Sequence, residues 1–172
     1  MERLSLGDAA RKVGRGAAPL VCHAPSVFRR LNIKPVPAHD VLELFAFAFP
    51  ARFCVPTAPG LAEALQIGAP ASPEAEPGLL IDIATELLEA LAAMRGDMDT
   101  GAVSTAVAMA AAGWNWGARV LEALGEAEPA LGAPRAVSGL EAWRRLPEWA
   151  ERAPEPPPGM EPVSVEEATA RL

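Results

Sequence analysis

The sequence predicts an α/β chain that is predominantly helical, with one or two short strands. Three observations carry that expectation. Half of the 172 residues are hydrophobic but aromatics make up only 5%, with Ala supplying much of the rest, so the core should be built from small residues on helices. From Leu79 to Met94, the polar residues Asp82, Thr85, Glu86 and Glu89 fall in one narrow stripe at helical spacing, opposite Leu80, Ile83, Leu87, Leu91 and Met94. Against this helical background, Leu20-Val21-Cys22 is a brief apolar run bounded by Pro19 and Pro25, the pattern of a short buried strand.

Taken in order, a first helix is predicted from Ser5, whose hydroxyl can cap it, to the Gly14/Gly16 pair, where helix propensity falls. The strand at Leu20–Cys22 follows. Val27–Leu31 is then a short helix with Phe28 and Leu31 on one side and Arg29 and Arg30 turned partly outward. Asp40-Val41-Leu42-Glu43 has the form of a capping box, with the Asp40 carboxylate accepting from the Glu43 amide and Glu43 reaching back. The alternation of Phe45, Phe47 and Phe49 with Ala46 and Ala48 suits a strand, but the cap and Pro50 delimit a helix to about Phe49. Gly60–Ile67 gives another helix, and Gly68–Gly78 a loop rich in Pro and acid. Beyond Leu79–Met94, helices are expected near Thr100–Ala112 and Trp116–Leu124, separated by Gly113-Trp114-Asn115-Trp116-Gly117.

From Ser138 onward, Leu140, Trp143, Leu146 and Trp149 recur every three residues, with Pro147 interrupting. This apolar set, centred on Trp143 and Trp149, either packs back on the domain or forms an interaction face for a partner. Pro154–Pro158 is a polyproline-like linker, and Val163–Leu172 opens a helix capped by Ser164 with Glu167 three residues on. The expectation drawn from that opening helix is a natural polypeptide that continues. The chain accordingly divides into a region 1–95, a helical extension 96–152 with its Trp-rich segment, and a linker with the start of a following helix at 153–172.

Net charge is −7, but residues 1–60 hold eight Lys/Arg against four Asp/Glu, whereas residues 61–172 hold seven against eighteen. The basic front could border a phosphate backbone, with Arg29 and Arg30 as the DNA-facing candidates. In sequence it falls short of the clustered footprint of a stand-alone nucleic-acid binder. Thirteen arginines against two lysines, beside abundant Ala and Pro, reflect compositional bias. Two cysteines and an amphipathic N-terminus without an apolar h-region point to the reducing cytoplasm. The longest apolar run, Ala102–Ala112, is about half a membrane span, so no membrane association is expected.

Complete catalytic motifs are missing. A phosphate-binding loop needs glycines for close backbone approach and a Lys for the phosphates, and this chain has no Gly-Lys dipeptide, so no ATP site is expected in it. Cys22, His23, His39 and Cys54 could supply sulfur and imidazole ligands to zinc, but their spacing matches no zinc-knuckle pattern, and adjacent Cys22 and His23 would point to opposite faces of a strand. No resident cofactor or metal site follows. Two-metal nuclease chemistry needs several acids converging on ions about 4 Å apart, and Asp82 is the one weak candidate for a remnant of such a site.

The segment Leu20–Leu31 resembles the AHNxxFDxxFL element of DEDD-type 3′–5′ exonucleases, with Cys22-His23 for Ala-His, Ala24 where the family has Asn, and Phe28 about where it has a metal-binding Asp. His39–Leu44 is similar to the family's vDTLELar element and Leu61–Ile67 to its LxxLaxxLGI. The HxxxxDAxxTxxL motif would fall on Pro77–Leu88, where Asp82 and Thr85 match and Pro77 replaces His. The opening DxE motif has no counterpart. Together with GWNWGARVLEALG, LEAWRRLPEWAERAPEPPPG and PVSVEEATARL, these segments resemble the N-terminal region of bacterial DinG-type ATP-dependent DNA helicases.

That resemblance implies a remnant of an RNase H-like exonuclease fold that has lost its metal ligands. It would serve as a catalytically inactive accessory domain in DNA repair or replication. The implied partners are a helicase core in cis, if the chain continues, and DNA through that core. ATP and Mg are implied only for the full-length helicase. The alternative from a different class is a free-standing cytoplasmic adaptor using the Trp143/Trp149 face.

Overall fold

The computed structural model describes residues 3–68, 72, 75–95 and 101–126. Over these residues the chain is predominantly helical, with two short parallel strands. The elements run α1 (Leu6–Arg15), β1 (Leu20–Val21), α2 (Ala24–Leu31), β2 (His39–Asp40), α3 (Val41–Ala48), α4 (Ala58–Leu65), α5 (Glu76–Ala93), α6 (Gly101–Ala111) and α7 (Gly117–Leu124).

Local signals set most helix ends. Ser5 caps α1 by accepting from the Asp8 amide, and Gly16 closes it. Thr57 caps α4 through the Gly60 amide. Three helices begin earlier than predicted, and in each a proline lies in the first turn: Pro25 in α2, Pro59 in α4 and Pro77 in α5. Proline at that position surrenders an amide that has no intrahelical partner anyway and brings a helical φ. Pro25, Pro59 and Pro77 therefore mark helix starts.

The capping box at Asp40 forms differently from its prediction. The Asp40 carboxylate accepts from the Leu42 amide at 3.0 Å, and the Glu43 side chain points instead to the Trp114 indole. The reason lies in β1–β2 pairing, which sets Leu20 against His39 and Val21 against Asp40. That register carries the Asp40 carboxylate to the end of β1, where it also accepts from the His23 amide at 2.8 Å and the Ala24 amide at 2.6 Å. One buried side chain thus terminates two helices, α2 and α3. His23, at the strand-to-helix junction, takes a left-handed backbone with φ +61°.

Two apolar clusters result. The larger joins Leu44 and Phe45 of α3, Leu61 of α4, Ile83, Leu87 and Leu91 of α5, Ala106 of α6, and Trp116, Val120 and Leu121 about α7. Segment 101–126, read in sequence as part of an extension, contributes to this same core. The smaller cluster holds Val21, Ala24, Phe28 and Ala38, with Val13 of α1 against it. α6 and α7 approach closely enough that a Cβ on Gly117 would meet the Ala110 Cβ at 2.4 Å, so a residue without a side chain is required there. The amphipathic pattern of α5 holds: Ile83, Leu87 and Leu91 are buried, and Asp82, Thr85, Glu86 and Glu89 are exposed.

Candidate functional site

A cleft of about 690 Å³ lies between α2, the segment 33–38 and the turn joining α6 to α7. Its floor is apolar, from Phe28, Ile33, Val36 and Met109, and its polar groups are Arg29, Asp40, Glu43 and Asn115. Each is positioned by an interaction already required by the fold. Asn115 donates from Nδ2 to the Ala38 carbonyl at 2.9 Å, tying the α6–α7 turn to the strand β2 approach. Trp114 donates from Nε1 to Glu43 Oε2 at 3.1 Å, while its ring lies 5.1 Å from Phe47. Trp116 is buried behind them, donating from Nε1 to the Asp40 carbonyl at 2.8 Å and meeting His39 edge-on at 4.9 Å. In the sequence, GWNWG marked the break between two helices and belonged to one segment of the helicase resemblance, but no site was assigned to it. Two tryptophans and an asparagine between glycines were the signal that this turn closes a site.

Glu43 is exposed at the cleft edge, and partial desolvation raises its carboxyl somewhat above its ordinary value, with the nearby Asp40 adding to the rise and the Trp114 hydrogen bond opposing it. A carboxyl raised in the folded state binds its proton there first. As pH falls through the folded value to the unfolded one near about 4.3, the penalty for ionised Glu43 is relieved. The wild type should therefore gain stability relative to Glu43→Gln as pH falls through that window, with a constant difference above it. Thermal unfolding of both proteins across pH 3 to 7, about the span that brackets the carboxyl range, checks this. Parallel curves would show that Glu43 is not held as described.

The sequence-derived candidates are scattered. Asp82 is exposed on the solvated stripe of α5 and does not line the cleft. Arg29 and Arg30 are exposed on α2, with Arg29 at the cleft rim. Trp143 and Trp149 lie outside the described residues. Among the described residues, no group of three or more His, Cys, Asp or Glu is placed to hold a metal ion. Of the residues weighed as zinc ligands, His23 shares a 3.0 Å hydrogen bond between Nδ1 and the Ser26 hydroxyl, and His39 packs on Trp116. Cys22 has its thiol pushed up to about 12, first by burial and then by Asp40 and Cys54, which leaves almost no thiolate near neutrality. Cys54 is raised by burial as well.

As chemistry, the cleft offers one cation at its rim, a hydrogen-bonded carboxyl and a carboxamide over an apolar floor. Among the described residues that line it, that set can bind and orient. Among the described residues no helix is long and apolar enough to cross a membrane. No protein-family model, curated protein or solved structure matches this chain.

Proposed function

We propose that this chain is a non-catalytic accessory domain, a remnant of an RNase H-like exonuclease that stands before the core of a DinG-type ATP-dependent DNA helicase. The observation that carries the reading is the fate of Ala24 and Phe28. They stand where the resembled exonuclease element has its Asn and its metal-binding Asp, and both are buried, at 8% and 5% exposure, in an apolar cluster with Val21 and Ala38. Phe28 sits both in that cluster and on the floor of the cleft, so a carboxylate in its place would lose apolar packing and, left unpaired, would be disfavoured by several kcal/mol, on the order of the cost of burying a charge. The site has been filled with packing.

Asp40 matches an acid of the resembled element that is not a metal ligand, and its carboxylate accepts from three backbone amides. Asp82 is the one acid that matches a metal-binding position in the resemblance, and it sits on a solvated helix face. In this reading the domain positions DNA for, or packs against, a motor in cis that binds ATP and Mg.

Two experiments test it. Purified protein incubated with single-stranded DNA and Mg²⁺ or Mn²⁺ is expected to release no nucleotides, and Asp82→Ala to behave identically. A metal-dependent activity abolished by Asp82→Ala would overturn the inactive assignment. Reading the coding DNA downstream of the Leu172 codon is expected to give an open frame with a phosphate-binding loop; a stop codon there would remove the helicase core in cis.

A further inference from the structure

Residues 3–34 carry seven Lys/Arg (Arg3, Arg11, Lys12, Arg15, Arg29, Arg30 and Lys34) against one acid, Asp8, a net of +6. The whole chain carries −7, so the remaining residues carry −13. Along the sequence the seven are separated by a glycine-rich break and a strand. In the fold, α1 packs beside α2, with Val13 set against the cluster that buries Phe28, so the two helices that carry Arg11, Lys12, Arg15, Arg29 and Arg30 are neighbours. All seven are exposed. Asp8, the single acid, pairs with Arg11.

We propose that the α1–α2 unit is a contact surface for the phosphate backbone of duplex DNA, read without regard to sequence. Charge complementarity selects the polyanion, and within residues 3–34 no exposed aromatic offers a base a stacking platform, which favours the duplex. Proteins that hold single strands combine cationic side chains with exposed aromatics on which bases stack. In 3–34 the only Phe, Trp or Tyr is Phe28, and it is buried. A surface restricted to phosphate contacts gains most where phosphates are densest, and each contact on a duplex releases more counterion than one on a single strand, about 0.9 against about 0.7.

The acidic remainder does not forbid this contact. At physiological ionic strength charges interact over about 8 Å, whereas α1 alone is about 15 Å long. Among the described residues outside 3–34, three Lys/Arg stand against nine acids; Asp40 and Glu43 line the cleft beside Arg29, and acids more than a Debye length from the two helices are screened from a backbone lying on them. The surface goes beyond the accessory-domain reading and does not rest on it: it is expected whether or not a motor follows, and the nuclease and reading-frame tests leave it untouched.

The test is fluorescence anisotropy of a labelled DNA duplex of about 20 base pairs, long enough to exceed a footprint of a few phosphates, titrated with the full chain between about 50 and 200 mM salt. Affinity is expected to fall with salt at a log–log slope of about −4, the value for four or five phosphate contacts. Arg15→Gln/Arg30→Gln takes one cation from each helix. It should reduce the slope by about 2 and weaken binding roughly a hundredfold at about 50 mM salt, with circular dichroism unchanged. Arg119→Gln, an exposed cation on α7, should leave affinity unaltered. The single strand of the same sequence should bind more weakly. The proposal is overturned by absence of binding at about 50 mM salt, by an unaltered affinity in the Arg15/Arg30 variant, by an equal loss in Arg119→Gln, or by tighter binding of the single strand or of an RNA duplex.

Discussion

Asp40→Ala is expected to lower folding stability by about 3–5 kcal/mol, the range for stripping a buried charged acceptor from its partners. The residue is 2% exposed, and its two carboxylate oxygens accept from the amides of His23, Ala24 and Leu42. Truncation strands three donors. One belongs to the first turn of α3 and two lie at the entry of α2, so both helices lose their cap together. A typical domain has about 5–15 kcal/mol in hand, and the loss should be readable by urea denaturation followed by circular dichroism. Asp40→Asn discriminates further. Its single carbonyl oxygen can keep the pair of amides now on Oδ1, but its NH2 faces the Ala24 amide, donor against donor. A cost of about 2 kcal/mol is expected, within the range for one unsatisfied buried group. A change below about 1 kcal/mol in the alanine variant, the size of an ordinary exposed cap, would show that Asp40 is not the node described.

Trp116→Ala is expected to cost about 3–5 kcal/mol, as for other large aromatics removed from a core. Trp116 is 4% exposed, with its ring in the larger core and its indole nitrogen on the Asp40 carbonyl. Trp116→Phe separates the two contributions. The phenyl ring keeps much of the buried area but cannot donate, and the stranded carbonyl should cost about 1–2 kcal/mol. Because both substitutions act on Asp40, the double variant Asp40→Asn/Trp116→Phe should depart from additivity by more than about 0.5 kcal/mol. Additive denaturation energies would place the indole and the carboxylate in independent environments.

The expected sizes of these effects explain where sequence reading stops. The stripe of α5 was legible because helical periodicity is local: spacing alone puts Ile83, Leu87 and Leu91 on one face. The Ser5 cap was legible for the same reason, since donor and acceptor are three residues apart. Asp40 was legible as a helix start but not as a junction. Its partners His23 and Ala24 lie 17 and 16 residues away, and only the β1–β2 register brings them within reach. The early starts of α2, α4 and α5 were hidden behind prolines whose meaning depends on which turn of a helix they occupy. The cleft was not legible at all. Asn115 and Trp114 reach Ala38 and Glu43 across 77 and 71 residues, and no local pattern encodes so long a return.

The charge pattern shows the same division. Composition established an excess of basic residues at the front of the chain, but the sequence separates them on two helices with a strand between. Packing Val13 beside the cluster around Phe28 makes those helices neighbours. By itself, then, the sequence determined what depends on neighbours a few residues apart: a mostly helical chain, the buried face of α5, the Ser5 cap and the signed charge. Only the tertiary structure decided which of those groups meet. A hydrogen bond or a phosphate contact depends on distance in space, and the strand pairing that sets those distances is made between residues far apart in the chain.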